Sequence, residues 1–532
     1  MIIFTFPSST LIYLYLAIDF DFNDMPYAKG ARFDPDKGCL VGTREKILGE
    51  IVEWVNSQND DTSPRLFFLS AVAGYGKSAV AHTIARRFDD IGRLGSSYCF
   101  DRADQANRHP DNLLSTIALD IADLDLHWKN SLYAAVKGHR SLRTTRSATE
   151  QFTNFILGPA KALTTIGPIV IVIDAFDESG DNSIRKRLLE VLARRAADLP
   201  ANFRILVTAR PEKDILRALS NNQCIHYRHL DDVDKSSNEH DISAFIETTL
   251  SGIPSLESKW PNKAWCRMLV EKSDGLFQWA STACRAINDG EGGVLPAELL
   301  TRFYKLTSGL DELYFTVLQQ SFDPNNAMAM IRFKSVVGRI LAIKEPLSIS
   351  AHSDMCWKSD DAASVESVTQ SMGALLSGVH RLDTPVRARH ASFFDFLVDE
   401  SRSKYYYVDA SQRNWNLTLS TFRVMKRELR FNICSLKTSH LRNTVVPDLA
   451  ERVANIILPH LSYSCRYWAD HLKVTPYDTE ILDELRDFLH HRLLYWLEVL
   501  SFTKYINIAS SMLQVVPEWN QVSQHAYLDE YC

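Results

Sequence analysis

Three short segments carry residues that could bind and process a phosphate group, and each directly follows an apolar run. The first segment is AVAGYGKS at 71–78, which follows RLFFLS at 65–70 and precedes a helical pattern at 77–88. A strand, a glycine-bearing turn, a Lys-Ser pair and a helix in this order are the parts of a phosphate-binding P-loop. Ala71 replaces the usual first glycine, a mild departure where the chain leaves the strand. The spacing therefore predicts a P-loop.

The residue types in this loop suit a nucleotide phosphate. Gly74 and Gly76 can adopt backbone angles that turn successive N–H groups toward an anion. Lys77 would reach the β- and γ-phosphates, and Ser78 would offer its hydroxyl to Mg²⁺. The helix that begins here directs its N-terminal dipole at the same anion. The predicted nucleotide contacts of the loop are Ala73, Gly74, Tyr75, Gly76, Lys77, Ser78 and Ala79.

The second segment supplies carboxylates. Residues 169–173 form a β-branched run typical of a central parallel strand, and Asp174 stands at its end. Because a P-loop needs a carboxylate on a neighbouring strand to hold Mg²⁺, Asp174 is the predicted metal partner, acting through a water molecule. Of the two carboxylates that follow, Glu178 is preferred over Asp177 as the group that polarises the attacking water. Both could instead be ordinary loop carboxylates or cap the helix predicted next.

The third segment carries a single arginine. FRILVTARP at 203–211 has the same apolar character, and Arg210 lies at its tip, before a proline that ends the strand. An arginine there can sense the γ-phosphate and stabilise developing negative charge. It could also be a surface arginine in an ordinary ion pair. The predicted catalytic residues are Lys77, Asp174, Asp177, Glu178 and Arg210, and the predicted metal ligands are Ser78 and Asp174.

A parallel sheet must position these segments, because the carboxyl ends of its strands lie along one edge, where open α/β sheets bind ligands. Helices return the chain between the strands. Val80, Ile84 and Phe88 recur at helical spacing after the loop and are expected to pack on the sheet. The predicted fold class of this region is an α/β P-loop NTPase core with a parallel sheet.

The order and spacing of these motifs resemble the fungal NACHT-domain proteins, a branch of the STAND class of signalling NTPases that includes the animal NOD-like receptors. The resemblance covers the chain from Pro26 to about Trp519. Further segments that carry it are CLVGTREKILGEIVEW at 39–54, KSDGLFQWAS at 272–281 and VRARHASFFDFLVDE at 386–400.

The resemblance implies roles for residues outside the three segments. Gly42 and Arg44 belong to an element that packs near the nucleotide base in relatives. His390 matches a histidine that touches the β-phosphate of bound ADP and holds the resting state closed. An imidazole N–H bonded to phosphate would respond to which nucleotide is present. His390 could equally be a buried structural residue beside the phenylalanines at 393–396.

The resemblance also implies the order of the domains. After the core come a helical domain, a winged helix and a C-terminal α-helical region. The predicted bounds are a leader without fixed structure at 1–27, a segment before the core at 28–64, the NACHT core at 65–235, the helical domain at 236–310, the winged-helix-like domain at 311–404 and the C-terminal helical region at 405–532. Aromatic residues at helical spacing in the last region are predicted to be core rather than a binding face, namely Tyr463, Tyr467, Trp468, Tyr495 and Trp496.

The composition narrows the classes of function. The 532 residues carry a net charge of -6, which argues against a general nucleic-acid binder. Nine cysteines are scattered singly, as expected for reduced thiols in an intracellular protein. The apolar start at 1–18 lacks the positive charge of a signal peptide, and polar residues interrupt it, so no membrane association is expected. The expected location is the cytoplasm.

These observations predict a nucleotide-dependent conformational switch. It would bind ATP and ADP with Mg²⁺, hydrolyse ATP slowly, and control self-association or association with related signalling proteins. The resemblance implies a role in fungal self/non-self recognition or defence. One alternative is a non-hydrolysing adaptor or decoy that binds nucleotide for stability and lacks sensor repeats. Another is a small-molecule kinase, although no segment resembles an acceptor site.

Overall fold

The computed structural model forms two compact units, Met1–Ser281 and Thr282–Cys532, called here the first and second unit. It describes residues 22, 24–57, 63–180, 182–220, 222, 224–232, 235–251, 262–289, 295–306, 309–356, 359–438 and 440–531. Most of the predicted leader lies outside the described residues. None of the helices in the described ranges combines the length and the apolar character needed to cross a membrane. The boundary between the units falls inside the predicted helical domain, and the finer domain bounds stay predictions.

A five-stranded parallel sheet forms the centre of the first unit. Its spatial order is β2-β3-β4-β1-β5, and every neighbouring pair is parallel. This order corrects one expectation, because the strand that ends in Asp174 is not the neighbour of the strand before the P-loop. The strand that leads to Arg210 lies between them. The strands are β1 (Leu66–Ser70), β2 (Leu94–Cys99), β3 (Ile169–Asp174), β4 (Phe203–Ala209) and β5 (Ile225–His229).

The three central strands, β1, β3 and β4, form because most of their residues are apolar or β-branched on both faces, and both faces are covered by helices. Successive residues of β1 point into different cores: Phe68 packs in one cluster, whereas Phe67 packs in the other. The helices of this unit are α1 (Glu45–Val55), α2 (Lys77–Asp89), α3 (Leu113–Leu124), α4 (Leu126–Val136), α5 (Arg140–Arg143), α6 (Ala148–Gln151), α7 (Gly158–Ala160), α8 (Asn182–Arg195), α9 (Lys213–Leu219), α10 (Lys235–Leu250) and α11 (Lys263–Ser273).

The layers of the first unit follow from these clusters. Helices α1 and α2 bury Ile51, Val80 and Ile84 against one face of the sheet. Helices α3 and α8 bury residues such as Ile117 and Leu188 against the other face. The predicted helix after the loop is confirmed as α2, with Val80, Ile84 and Phe88 all buried. The result is a three-layer α/β/α core whose strands all end at one edge.

The second unit is mainly helical, and α12 (Phe277–Asp289) carries the chain into it. The short strands β6 (Leu376–Ser377) and β7 (Arg387–Ala388) pair as an antiparallel hairpin, and Ser348 bridges to Pro385 beside it. Helices followed by a hairpin are compatible with a winged helix, which stays a prediction. The remaining helices are α13 (Pro296–Tyr304), α14 (Leu310–Ser321), α15 (Ala327–Ala342), α16 (Ile349–Asp354), α17 (Ser359–Gln370), α18 (Ala391–Leu397), α19 (Glu400–Ser403), α20 (Ala410–Glu428), α21 (Leu449–Ile456), α22 (Pro459–Lys473), α23 (Thr479–His491), α24 (Leu493–Phe502) and α25 (Ala509–Tyr531).

An aromatic cluster holds the last helices together. The ring of Trp468 lies 5.6 Å from Phe422, 5.2 Å from Phe488 and 6.0 Å from Trp496, measured between centroids. Tyr463, Trp468 and Trp496 are fully buried, as the helical spacing predicted, and Tyr467 and Tyr495 pack against the same core. The aromatic stripe is therefore core.

Candidate functional site

The loop at 71–78 has the geometry of a P-loop. It connects the end of β1 to the start of α2, and Gly74 and Gly76 adopt left-handed backbone angles, with φ of 86° and 95°. A side chain would strain the backbone at both positions, so the glycines are required there. The Nζ atom of Lys77 donates hydrogen bonds to the carbonyls of Ala71 and Val72, at 2.8 and 3.0 Å. The ammonium group is thus held over the loop that would receive a phosphate.

Two contacts outside the loop orient its peptide groups. The backbone N–H of Gln278 donates to the Gly74 carbonyl at 3.0 Å. The guanidinium of Arg44 donates to the Tyr75 carbonyl at 2.6 Å. In a trans peptide the carbonyl and the following N–H point in opposite directions. The N–H groups of Tyr75 and Gly76 are therefore turned away from Arg44 and Gln278, as an anion-binding loop requires.

Arg44 contacts parts of the first unit that are far from it in sequence. Its backbone N–H donates to Oδ2 of Asp241 on α10 at 3.1 Å. Its guanidinium also lies over the ring of Phe277, 4.6 Å from the centroid. Arg44 itself has a φ of 61°, which marks a locally strained backbone at the start of α1. Gly42, predicted with Arg44 to lie near a nucleotide base, adopts a φ of 84° in the adjoining turn, and its role stays a prediction.

The first carboxylate of the edge, Asp174, is buried, and each of its two oxygens faces a neighbouring side chain. Its Oδ1 accepts a hydrogen bond from the hydroxyl of Thr208 on β4. Its Oδ2 lies 3.9 Å from Nε2 of His82 on α2. Nδ1 of His82 accepts from the backbone N–H of Asp34 at 2.8 Å, so the proton of the neutral imidazole lies on Nε2, facing Asp174. Burial lowers the pKa of His82, which keeps it neutral.

Asp177 and Arg210, both predicted to be catalytic, form an ion pair. The Arg210 guanidinium Nε lies 3.1 Å from Oδ2 of Asp177, and the Arg210 backbone N–H donates to Oδ1 at 2.9 Å. Arg185 on α8 donates to the Asp177 backbone carbonyl at 3.1 Å and holds this turn from behind. The ion pair joins the ends of β3 and β4. Because its carboxylate is committed to Arg210, Asp177 is the poorer candidate for polarising a water molecule.

Glu178 has a different environment. One carboxyl oxygen accepts from the backbone N–H of Arg102 at 3.1 Å. Burial, followed by the negative charges of Asp177 and Asp101, raises the pKa of Glu178 to about 8. At neutral pH this carboxyl therefore holds its proton. It can accept a proton only after it has lost its own, through a rise in pH or a nearby positive charge.

The charges at the edge act on Lys77. Burial lowers the pKa of Lys77, and the negative charge of Asp177 is the strongest influence that opposes this shift. Arg210 lowers the pKa of Lys77 further, and Asp174 and Glu178 raise it. These influences link the loop to the predicted carboxylates and arginine at the carboxyl edge of the sheet.

The oxygen donors at this edge suit a hard divalent cation. Ser78 is exposed at the start of α2 and presents a hydroxyl, whereas Asp174 presents a carboxylate. The buried side chains of His82, Cys99 and Asp174 also place one donor atom each within 4.8 Å of one another. Burial raises the pKa of the Cys99 thiol, so this sulfur is protonated and is a poor metal ligand. Ser78 and Asp174 therefore stay the predicted ligands of Mg²⁺.

His390 lies in the second unit and caps a helix. Its Nδ1 accepts from the Ser392 backbone N–H at 3.2 Å and bonds the Ser392 hydroxyl at 2.6 Å. That hydroxyl also bonds the hydroxyl of Tyr314 at 2.8 Å. Phe393 and Phe396 are buried behind it. These contacts give His390 a structural role at the start of α18, and its contact with a nucleotide stays a prediction.

Several residues of the site were not predicted from the sequence. Thr208 and His82 fix Asp174, Arg185 fixes Asp177, and Gln278 fixes the loop. Thr208 stands two residues before Arg210, so its place at the end of a predicted strand was a usable signal. Gln278 acts through its backbone, which no side-chain pattern reveals.

The chain is similar to known proteins by family model, by sequence and by structure. Residues 42–210 match the family model described as "Nephrocystin 3, N-terminal". The "Vegetative incompatibility protein HET-E-1" of Podospora anserina is 25% identical over 384 residues, which cover 67% of this chain and 26% of that protein. The crystal structure of a Signal Transduction ATPase with Numerous Domains (STAND) protein with a tetratricopeptide repeat sensor from Pyrococcus horikoshii aligns at 10% identity and a TM-score of 0.34, covering 95% of this chain and 66% of that chain.

Proposed function

We propose that this chain, which is similar to P-loop NTPases of the NACHT/STAND type, is a nucleotide-dependent signalling switch. It binds ATP or ADP with Mg²⁺ at the loop 71–78, hydrolyses ATP slowly, and changes its self-association with the bound nucleotide. The match spans only 26% of its relative from Podospora anserina, so a role in fungal self/non-self recognition rests on the name of that relative.

One observation carries this proposal. The P-loop, the carboxylates after β3 and Arg210 after β4 all lie at the carboxyl edge of one parallel sheet. The pKa of Lys77 is shifted by the charges of four residues at this edge, namely Asp174, Asp177, Glu178 and Arg210. A site with an ammonium, an arginine and carboxylates around an anion-binding loop supports phosphoryl chemistry better than simple phosphate binding.

Each residue of the site has its own role in the proposed binding and hydrolysis of ATP. Lys77 leaves the carbonyls of Ala71 and Val72 to bind the terminal phosphates, and the loop N–H groups bind the remaining oxygens. Bound Mg²⁺ would neutralise phosphate charge between Ser78 and Asp174. Arg210 stabilises charge that develops on the γ-phosphate, and Asp177 sets its orientation. Glu178 orients the attacking water and accepts its proton.

A non-hydrolysing nucleotide-binding adaptor is the second candidate, and Glu178 is the observation that favours it. A carboxyl with a pKa of about 8 is mostly protonated at neutral pH and is a poor base. Bound nucleotide would then stabilise the fold without turnover, by mass action. Both candidates require nucleotide at the P-loop, and only the first requires measurable hydrolysis.

The first test is the nucleotide content of the purified chain. The protein is denatured, and the released nucleotide is identified by chromatography. We expect near-stoichiometric ADP or ATP from the unmodified chain and none from Lys77→Ala. Lys46→Ala, which removes an exposed lysine on α1, should retain the nucleotide. A chain that carries no nucleotide and binds none on incubation would refute both candidates.

The switch is tested separately by sedimentation. Bound ATP and bound ADP should give different sedimentation coefficients or different susceptibility to protease. If the chain binds and hydrolyses ATP but both properties are the same with either nucleotide, the chain is an NTPase without a switch.

A further inference from the structure

A pocket in the second unit has the character of an anion-binding site. It has a volume of about 390 Å³ and lies between α15 and α20. Its lining includes the side chains of three arginines, two serines and one glutamate, namely Arg339, Arg413, Arg423, Ser335, Ser420 and Glu480. The size is within the range of roughly 300–1,000 Å³ that is usual for small-ligand sites.

The charges in this pocket do not balance. Glu480 is the one carboxylate among the described lining residues, and it is paired with Arg423. Arg339 donates to the His352 backbone carbonyl at 2.8 Å and contacts the Cys356 sulfur, so its described partners are uncharged. The Nε atom of Arg413 is buried and has no hydrogen-bond partner among the described residues. Two positive charges are therefore left without a described counterion in contact.

Arg339 and Arg413 lie close enough to repel each other. Burial, followed by the positive charge of Arg339, lowers the pKa of the Arg413 guanidinium, and only Asp409 opposes the shift. A guanidinium stays protonated in proteins, so the repulsion persists at every relevant pH. Both arginines are partly buried, so their charges are incompletely solvated, and an anion between them would offset the repulsion.

The backbone of α15 is adapted to this arrangement. Atoms of the Arg413 side chain lie 2.5 to 2.8 Å from the position that a Cβ atom would take at Gly338. Any other residue at 338 would displace Arg413. A glycine inside a helix costs about 0.5–1 kcal/mol relative to alanine. Gly338 therefore accommodates an arginine that makes no ion pair with a described carboxylate.

We propose that this pocket binds a small polyanion that carries phosphate groups. The planar forks of Arg339 and Arg413 match phosphate oxygens, and the hydroxyls of Ser335 and Ser420 can donate beside them. Arg423 adds a third guanidinium if its bond to Glu480 is exchanged for the ligand. All of these residues belong to the second unit, so the site is separate from the P-loop, and the proposal does not depend on nucleotide hydrolysis.

The test measures binding of tripolyphosphate to the full chain by calorimetry. All variants carry Lys77→Ala, which removes the contribution of the P-loop. We expect one remaining binding event, weakened roughly tenfold or more by Arg413→Gln, because hydrogen bonds from charged donors are the strong ones. Arg427→Gln is the matched control, since Arg427 is an exposed arginine on α20 that pairs with Glu428 at 2.5 Å. It should leave binding unchanged.

A second variant keeps the proposal testable if Arg413→Gln does not fold. Ser420→Glu places a carboxylate in the pocket and should abolish tripolyphosphate binding while raising the melting temperature. Absence of binding in the Lys77→Ala chain would overturn the proposal, as would equal binding in both the Arg413→Gln and Ser420→Glu variants. Citrate at the same ionic strength should bind more weakly than tripolyphosphate. Equal affinity would overturn the assignment to phosphate.

Discussion

The partly buried carboxyl of Glu178 should make the stability of the first unit fall as pH rises. The pKa of Glu178 is about 8 in the folded chain, against an ordinary value of 4.5. Between these values the folded chain keeps the proton, whereas the unfolded chain releases it. The free energy of unfolding therefore decreases as pH rises from about 4.5 to about 8 and is level beyond that range. Below about 4.5 both states are protonated, and Glu178 contributes no pH dependence.

The magnitude follows from the size of the shift. Well between the two pKa values, each pH unit changes the free energy of unfolding by about 1.4 kcal/mol. Because the folded chain has already lost half of the proton at pH 8, the step from pH 6 to pH 8 amounts to about 2 kcal/mol. Glu178→Gln removes this contribution and leaves the other titrating groups in place. Urea unfolding is measured for both chains at pH 6 and at pH 8. From pH 6 to pH 8, the free energy of unfolding of the Gln variant should rise by about 2 kcal/mol relative to that of the unmodified chain.

A matched control shows whether the effect is specific to Glu178. Glu190→Gln replaces an exposed glutamate on α8 and should follow the unmodified chain at both pH values. If Glu178→Gln also follows it, the carboxyl is ionised in the folded state, and the burial argument is wrong. A gain of the predicted size would show that the folded chain holds a proton at this position.

The same proton should limit hydrolysis. Because kcat/KM reports the ionisation of the free enzyme, it should rise with pH up to about 8 and then level if Glu178 is the base. Glu178→Gln should lower kcat by roughly 10²–10⁴-fold and retain ATP binding. A Gln variant with unchanged turnover would assign the base to another group, even if the stability measurement succeeds.

Variants at two positions test the residues that resemblance placed near the nucleotide. Arg44→Lys keeps a positive charge but removes the planar group that lies on Phe277 and donates to Tyr75, so ATP should bind roughly 10- to 100-fold more weakly by equilibrium dialysis. Equal affinity would show that Gln278 alone suffices to orient the loop, and Arg32→Lys at an exposed ion pair is the control. His390→Ala should cost about 1 kcal/mol of stability, because it removes a helix cap, and His390→Asn should restore it. Faster ADP release from both variants would support the sensing role, whereas unchanged release would leave His390 with the cap alone.

The parts of the site that the sequence predicted are those encoded by neighbouring residues. A strand, the loop with Gly74 and Gly76, and the helix from Lys77 follow one another directly, so periodicity and glycine positions were sufficient. Asp174 and Arg210 were predicted because each directly follows an apolar run, and parallel strands end at one edge.

The relations among those segments were not predictable in the same way. Strand order depends on pairings between residues far apart in sequence, so nothing local indicated that β4 would separate β1 from β3. The same holds for the hydrogen bond from Thr208 to Asp174 and for the approach of Arg413 to Gly338. Sequence patterns also could not show which of the two adjacent carboxylates is free to polarise a water molecule. Their difference arises because Asp177 pairs with Arg210, whereas Glu178 makes no ion pair with any described residue and accepts only from the backbone N–H of Arg102.

The contacts on the back of the P-loop link nucleotide binding to the segment that follows the core. Arg44 and the backbone N–H of Gln278 both hold loop carbonyls, and Gln278 belongs to α12. If α12 moves away, the Gly74 carbonyl loses its donor, and the adjoining N–H groups are no longer held toward an anion. The linkage must be reciprocal, so an anion that uses those N–H groups stabilises the docked position of α12 by the same free energy. If the loop binds nucleotide as proposed, the nucleotide would bias the position of this helix without contacting it, as the proposed switch requires.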